Sequence, residues 1–176
     1  MVKSIGQNIL RFDFNLFVLV SSRREGAFLK QFYKGLSHLG NGHLYALIAL
    51  RELLAGGGAG KLFFFSALLA FGLELPVYLL VKNSVKRLRP STRHPELKFL
   101  IVPPDQYSFP SGHTAAAFLM AQLLGYQLPF LVLPLYILAG LIGYSRIYLR
   151  VHYPLDVFFG AVLGFVSANF ALKLLF

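Results

Sequence analysis

The sequence predicts an all-α fold: a polytopic membrane helix bundle. It has five core transmembrane helices plus an N-terminal helix that is either interfacial or a sixth span. Three observations carry this. Hydrophobic residues make up 56% of the 176 positions and the mean hydropathy is +0.62, above the apolar share of an ordinary soluble domain. Only 14% of residues are charged. The polar residues fall in short clusters between apolar runs long enough to cross a bilayer. The length suits one domain, residues 1–176. Cysteine is absent, which excludes disulfides and thiolate-bound metals. The net charge is +10, from 17 Lys and Arg against 7 Asp and Glu. In a membrane chain this balance points to anionic lipid or a phosphorylated substrate, not to nucleic acid.

Taken in order, residues 1–26 are mixed. Phe12 to Val20 is apolar apart from Asp13 and Asn15, and Arg23-Arg24-Glu25 follows. That run is shorter than the roughly 20 residues a span needs, so it reads as an interfacial or re-entrant helix, with a true span as the alternative. Asp13 also breaks the apolar core that a cleavable signal peptide would need. The first span is expected from about Phe28 to Ala55, and Gly56-Gly57-Gly58-Ala59-Gly60 reads as a flexible turn. The second span, Leu62 to Val81, holds one charge, Glu74, and one proline, Pro76, which membrane helices tolerate. Residues 82–111 form a polar loop with five prolines. Spans three to five follow at about Gly112 to Tyr126, Pro129 to Tyr148 and His152 to Phe176. Gly160 and Gly164 in the last have the spacing that lets helix backbones approach closely, or mark a helix merely rich in small residues.

Three polar clusters carry the chemistry: KNSVKRLRP from Lys82 to Pro90, PSGH from Pro110 to His113, and SRIYLRVHYPLD from Ser145 to Asp156. Counting crossings puts all three on one membrane face, so they are expected to form one site. His152 and Asp156 are four residues apart at the head of a helix and share one of its faces. A carboxylate on one imidazole nitrogen fixes the tautomer and frees the other nitrogen to attack phosphorus. The alternative for this pair alone is an interfacial histidine beside a helix-capping aspartate. His113 follows Ser111-Gly112 where a helix begins. A helix N-terminus offers free N–H groups and a positive dipole end. Gly112 lets the backbone come close, Ser111 adds a hydroxyl or caps the helix, and His113 can protonate a leaving oxygen and later activate water. Lys82, Arg89 and Arg146 can surround the equatorial oxygens of a phosphoryl group in flight. Lys86, Arg87, Arg93, Lys98 and Arg150 are expected as headgroup anchors instead.

The candidate catalytic residues are therefore His152, His113 and Asp156. The candidate phosphate ligands are Lys82, Arg89, Ser111, Gly112 and Arg146. No metal or other cofactor is expected: histidines 113 and 152 lack the two-His helical spacing of a zinc site, and carboxylates are too sparse for a two-metal centre. His38, His43 and His94 have no motif around them and are expected to be structural. Glu74, a costly charge inside a span, is left outside the site.

The three clusters fit Lys-x6-Arg-Pro, Pro-Ser-Gly-His and Ser-Arg-x5-His-x3-Asp, complete and in order over roughly residues 82–156. In this the chain resembles the type 2 phosphatidic acid phosphatase superfamily, in its small bacterial membrane branch. Each motif alone is loose; the three together are specific. The resemblance implies that His152 is the nucleophile and Asp156 orients it. It implies that His113 is the general acid and then the base, that the remaining candidates hold phosphate, and that no metal takes part. It also implies a lipid phosphate substrate in the bilayer and an inner-membrane enzyme that removes phosphate. The same residues suit a lipid-to-acceptor phosphotransferase. A non-catalytic lipid-binding or transport protein would need the cations but not the oriented histidines. Specificity is expected in residues 91–109 and in helix faces near the bilayer; which lipid, and the oligomeric state, have no signature. The family usually keeps its site outside the cytoplasm. The charge count points the other way: twelve cations on the site face against three opposite, or nine against three without Lys82, Arg89 and Arg146.

Overall fold

The structure is a computed structural model that describes residues 2–22, 26–97, 99–103 and 105–175, with side chains described from residue 7 onward. Arg23, Arg24, Lys98 and the span's last residue, Phe176, which figured in the charge and span expectations, lie outside the described residues, as does Glu25. The described residues form eight α-helices and no named strand. They are α1 (Val2–Ser21), α2 (Ala27–Leu39), α3 (Gly42–Ala55), α4 (Gly57–Val85), α5 (Pro90–Arg93), α6 (Gly112–Gln127), α7 (Val132–Tyr148) and α8 (Pro154–Leu175). The all-helical membrane bundle expected from composition is what the chain forms.

The boundaries differ from expectation in three places. The predicted span Phe28 to Ala55 is two helices, because the chain turns at Gly40-Asn41 between α2 and α3. That turn sits close: a Cβ on Gly40 would lie 2.9 Å from Ile142 and 3.1 Å from the His113 Cβ. The glycine run 56–60 is not a flexible turn. Gly57, at φ +59°, opens α4, and Gly60 packs so tightly that a Cβ would lie 2.1 Å from the Glu52 carbonyl oxygen. Glycine therefore serves here as a hinge between two antiparallel helices with almost no loop. Finally, Lys82 is not in a loop but in the last turn of α4, which runs through Pro76 and ends where Lys86 takes a left-handed conformation, φ 49°. Among the described residues, three helices are long and apolar enough to cross a membrane: Gly57–Val85, Pro129–Tyr148 and Pro154–Leu175. The helices α3 and α6 have 14 and 16 residues, about 21 and 24 Å at 1.5 Å per residue, short of a ~30 Å hydrocarbon layer.

The core lies between α4, α6 and α8. Phe63, Ala67, Leu119, Met120, Leu123 and Ala168 are buried together there. The Gly160/Gly164 pair is a packing device. A Cβ on Gly164 would lie 2.0 Å from the Ala115 carbonyl oxygen and one on Gly160 2.5 Å from that of Ser111, so α8 meets α6 backbone to backbone. Outward, Phe65, Leu68, Leu80, Leu133 and Val166 are exposed, as a lipid-facing surface requires. The N-terminal α1 packs differently. Its Phe17 is fully buried against Ile147 and Tyr153, while Ile9, Phe12 and Leu19 face outward. All its inward partners lie at the bundle end that carries the polar clusters.

Candidate active site

One short backbone pairing draws the first two clusters together. Arg89 N–H donates to the Gln106 carbonyl (3.3 Å) and Ser108 N–H to the Arg87 carbonyl (2.8 Å), with Leu88 bridged to Tyr107. This fastens the Lys82–Pro90 cluster to the strand-like approach to PSGH. The third cluster is folded by its own backbone. After α7 ends at Tyr148, Arg150 turns left-handed (φ 63°), and the N–H groups of Val151 and His152 both donate to the Arg146 carbonyl at 3.2 Å. That turn is why five residues must separate Arg146 from His152: it returns the imidazole to the side of the guanidinium. Pro154 then opens α8 with its ring already at helical φ. Asp156 accepts the Tyr153 N–H through Oδ2 (2.8 Å), closing the first turn like the acidic half of a capping box.

The structure gathers the eight predicted residues at one end of the bundle. His152 is buried, and its Nε2 lies 3.1 Å from Arg89 Nη1. A guanidinium only donates, so Nε2 is the lone-pair nitrogen and Nδ1 carries the hydrogen. Nδ1 faces Asp156 Oδ2 at 3.7 Å, an electrostatic contact longer than a hydrogen bond. Burial, then the charges of Arg89 and Arg146, hold the His152 imidazole well below its ordinary pKa of 6.5, so it stays neutral.

The cations are held from behind. Lys82 Nζ donates to Tyr78 Oη (2.7 Å) and to Asp105 Oδ2 (2.6 Å). Arg89 gives Nη2 to Asp105 Oδ1 (2.9 Å), Nε to the Asp105 carbonyl (2.8 Å) and Nη1 to the Val151 carbonyl (2.8 Å). Burial alone would raise the Asp105 carboxyl, but Lys82 and Arg89 outweigh it and hold it below the usual carboxylate range. Arg146 is buried and donates to Ser37 Oγ of α2. Its Nε has no partner.

At the head of α6, Ser111 occupies the cap position, but its hydroxyl meets Thr114 Oγ1 (2.8 Å) and caps no amide. Ser111 N–H is spent on the Asp156 carbonyl (2.9 Å). The first-turn amides of Gly112, His113 and Thr114 are left without a side-chain cap, at the positive end of the helix. Gly112 is a close-approach position: a Cβ would lie 3.2 Å from the Tyr78 ring. His113 Nε2 lies 2.9 Å from Asn41 Oδ1. An amide oxygen only accepts, so Nε2 carries the hydrogen. Asn41 Nδ2 reaches His38 Nδ1 at 3.3 Å, so His38, expected as structural, steadies that amide. His113, Asn41, Arg146, Lys34 and Ser37 line a cavity of about 270 Å³ beside the cluster.

Several residues were not found from sequence. Arg87 and Arg150, expected as headgroup anchors, turn inward. Arg87 pairs with Asp156 (2.7 Å) and Asp13 (2.5 Å), and Arg150 donates to the Ser21 carbonyl (3.1 Å). Asp105, Asn41 and Tyr78 belong to no motif. The signal for Asp13 and Asp105 was scarcity: in a chain with seven acidic residues, each carboxylate among apolar neighbours needs a partner. Among the described residues, no three His, Asp or Glu side chains gather as a metal-binding group.

A neutral imidazole backed by a carboxylate, faced by three fixed cations and an uncapped helix N-terminus, in a helical membrane bundle, defines a membrane-embedded phosphatase. Residues 62–176 match the PAP2 superfamily, and the chain belongs to it. It is 36% identical over 136 residues to decaprenylphosphoryl-5-phosphoribose phosphatase of Mycobacterium tuberculosis, covering 74% of this chain and 72% of that one. It is 33% identical over 153 residues to phosphatidylglycerophosphatase B of Bacillus subtilis, covering 77% and 70%. The crystal structure of Aquifex aeolicus LpxE superposes with a TM-score of 0.79 at 32% identity, covering 91% of this chain and 94% of that one. A transmembrane PAP2-type phosphatidylglycerolphosphate phosphatase from Bacillus subtilis superposes at 0.76 with 26% identity, covering 95% and 86%.

Proposed function

We propose that this enzyme removes the terminal phosphate of a membrane lipid phosphate or diphosphate by way of a phosphohistidine, without a metal. The observation that carries the reading is the tautomer of His152: its lone pair at Nε2 faces the cation cluster and its N–H faces Asp156. Nε2 attacks phosphorus and the bond from phosphorus to the lipid oxygen breaks. Lys82, Arg89, Arg146 and the α6 amides carry the charge of the equatorial oxygens. His113 takes up a proton as the anionic substrate binds and gives it to the leaving oxygen. The positive charge that forms on the His152 ring is met by Asp156. Water then attacks the phosphohistidine, His113 takes a proton from it, the P–N bond breaks and inorganic phosphate leaves. Asp105 holds an oxyanion's place on Lys82 and Arg89 until the substrate's phosphate displaces it. The relatives named above act on lipid-linked phosphates, which supports a lipid for the leaving group.

The test is phosphate release in detergent or vesicles from phosphatidate, phosphatidylglycerophosphate, undecaprenyl diphosphate, decaprenylphosphoryl-5-phosphoribose and lipid A. His152→Ala abolishes release from the preferred lipid while the protein remains folded, and a chelator has no effect. Full activity in that variant, or loss on chelation, refutes the mechanism. Release with no acceptor present distinguishes hydrolysis from phosphotransfer. We place the site on the extracytoplasmic face of the inner membrane. Arg87, one of the nine cations that argue otherwise once Lys82, Arg89 and Arg146 are set aside, is also engaged inside the protein, which weakens the charge count. The chain has no cysteine, so Val102→Cys, at a position 92% exposed, gives one label site. An impermeant thiol reagent labels it on intact cells; protection until lysis overturns the orientation.

A further inference from the structure

Behind His152 stands a second group of charges, of which the phosphatase reading uses only Asp156. Arg87 lies between two fully buried carboxylates. Its Nη1 donates to Asp156 Oδ1 (2.7 Å) and its Nη2 to Asp13 Oδ2 (2.5 Å). The guanidinium lies 3.9 Å from the centre of the Tyr153 ring. The other oxygen of Asp13, Oδ1, accepts the N–H of Leu155 at 2.8 Å. Leu155 is in the first turn of α8, where amides have no partner inside the helix. Asp13 thus caps α8 from α1, 142 residues away in sequence.

The charge balance gives this arrangement a purpose. Asp156 paired with Arg87 alone is neutral and would offer little to a positive ring. Asp13 makes the trio −1, so a net negative charge remains beside His152 when its ring becomes cationic. The same contacts leave Asp156 no freedom. Oδ1 is held by Arg87, Oδ2 by the Tyr153 amide, and Arg87 itself by Asp13 and the Tyr153 ring. Arg11, Arg93 and His94 share a cavity of about 240 Å³ with Arg87 and Tyr153.

We infer that Asp13 and Arg87 are positioning residues for the phosphatase reaction: the N-terminal helix supplies the anion that locks Arg87 onto Asp156 and keeps the charge behind His152 negative. This rests on the reading of His152 as nucleophile. Neither residue touches the phosphate cradle of Lys82, Arg89 and Arg146, so its loss acts on the chemical step and not on substrate binding.

The experiment compares Asp13→Asn, Arg87→Gln, Arg87→Lys and the double variant Asp13→Asn/Arg87→Gln, each checked for folding by its melting temperature. The readouts are kcat, KM and the single-turnover rate of phosphoenzyme formation on the preferred lipid phosphate. A misplacement of about 1 Å costs on the order of 100-fold in rate. Arg87→Gln therefore lowers kcat and the phosphorylation rate about 100-fold, and Asp13→Asn about 10-fold, with KM within about threefold in both. Arg87→Lys recovers part of the loss. The double variant restores the −1 charge, so it is no slower than Arg87→Gln alone. Losses that multiply, a change confined to KM, or an unchanged phosphorylation rate in both single variants overturns the inference. Should a variant fold poorly, its single-turnover rate constant and its KM, read separately and neither dependent on how much of the protein is folded, decide the same question. His152→Ala separates the two levels. If it is inactive and the Asp13 and Arg87 variants are not impaired, only this inference fails; if it is active, the nucleophile assignment itself fails.

Discussion

Two arginines of one cluster serve His152, Arg89 against its ring and Arg87 behind Asp156; each is paired with acid, and they are built to opposite specifications. Arg89 meets Asp105, whose side chain is 36% exposed and sits in the loop between α5 and α6. Arg87 meets Asp13 and Asp156, both 0% exposed and both in helices. The first pairing can be exchanged, because water can solvate the carboxylate that leaves. The second cannot, because breaking it strands a charge in a dry interior, at about 3–5 kcal/mol. The difference separates the part of the site that must open for a ligand from the part that must not move during reaction.

The sharpest way to break this contrast is to neutralise each side in turn, starting with the fixed one. Asp156→Asn keeps the size of the side chain but removes its charge and disturbs the tautomer of His152. We expect kcat to fall about 10⁴-fold, the cost of a neutralised orienting aspartate in a hydroxyl-nucleophile triad. KM should move little, since the Asp156 side chain touches none of the phosphate ligands and its contact with Ser111 runs through the backbone carbonyl, which the substitution keeps. A fall carried mainly by KM would place Asp156 in binding and erase the distinction.

Acid titration sharpens it next, because the two sides respond in different pH windows. The His152 ring is held neutral in the folded protein, below its unfolded value near 6.5. Below about pH 6.5 the unfolded chain binds a proton there that the folded protein does not. Stability therefore falls with acid, by about 1.4 kcal/mol per pH unit for this one group. Asp105 has its own window: its lowered pKa adds stability above the ordinary carboxylate value of 3.8, lost as pH drops below it. Unfolding measured in detergent between about pH 6 and 4.5 should thus be flatter for His152→Gln than for the natural chain, and unchanged in slope for Asp105→Asn. Parallel curves for His152→Gln and the natural chain would show that the imidazole is solvated.

Much of this site was legible because the motif residues sit where local backbone rules act. The Arg146-to-His152 interval is set by one left-handed turn, His152 and Asp156 by helical spacing, and Gly112-His113 by a helix start. What was not legible is long-range pairing. Arg87 is one cation among several in a basic run, and nothing local shows that it reaches Asp13, 74 residues away, and Asp156, 69 away. Asn41 was hidden because the predicted span ran across it. A break at Gly40-Asn41 was needed to bring its amide to His113. The fold class followed from composition, but helix ends did not: a glycine run that reads as a flexible turn starts α4, because α3 packs within contact distance of Gly60.

The smallest effect probes the exchangeable side. Asp105 bridges Lys82 and Arg89 with both carboxylate oxygens, so a phosphate entering the cradle must first release it. Asp105 is the solvated end of the pairing, 36% exposed against 3% for Arg89; on the scale of about 1 kcal/mol for a partly solvated ion pair, removing that competitor should tighten phosphate binding by up to about fivefold. Asp105→Asn keeps the backbone contacts of the loop, since the Arg89 Nε bond goes to the Asp105 carbonyl. We expect KM for the lipid phosphate, and the inhibition constant of inorganic phosphate, to fall about two- to fivefold with kcat within about twofold. Salt bears on the same point. The natural enzyme gains from moderate salt that loosens Asp105 but loses from salt that screens the cradle, whereas Asp105→Asn only loses. A higher KM in Asp105→Asn would mean that the carboxylate aligns the two cations for the substrate, and that Arg89 and Arg87 are both held by permanent partners.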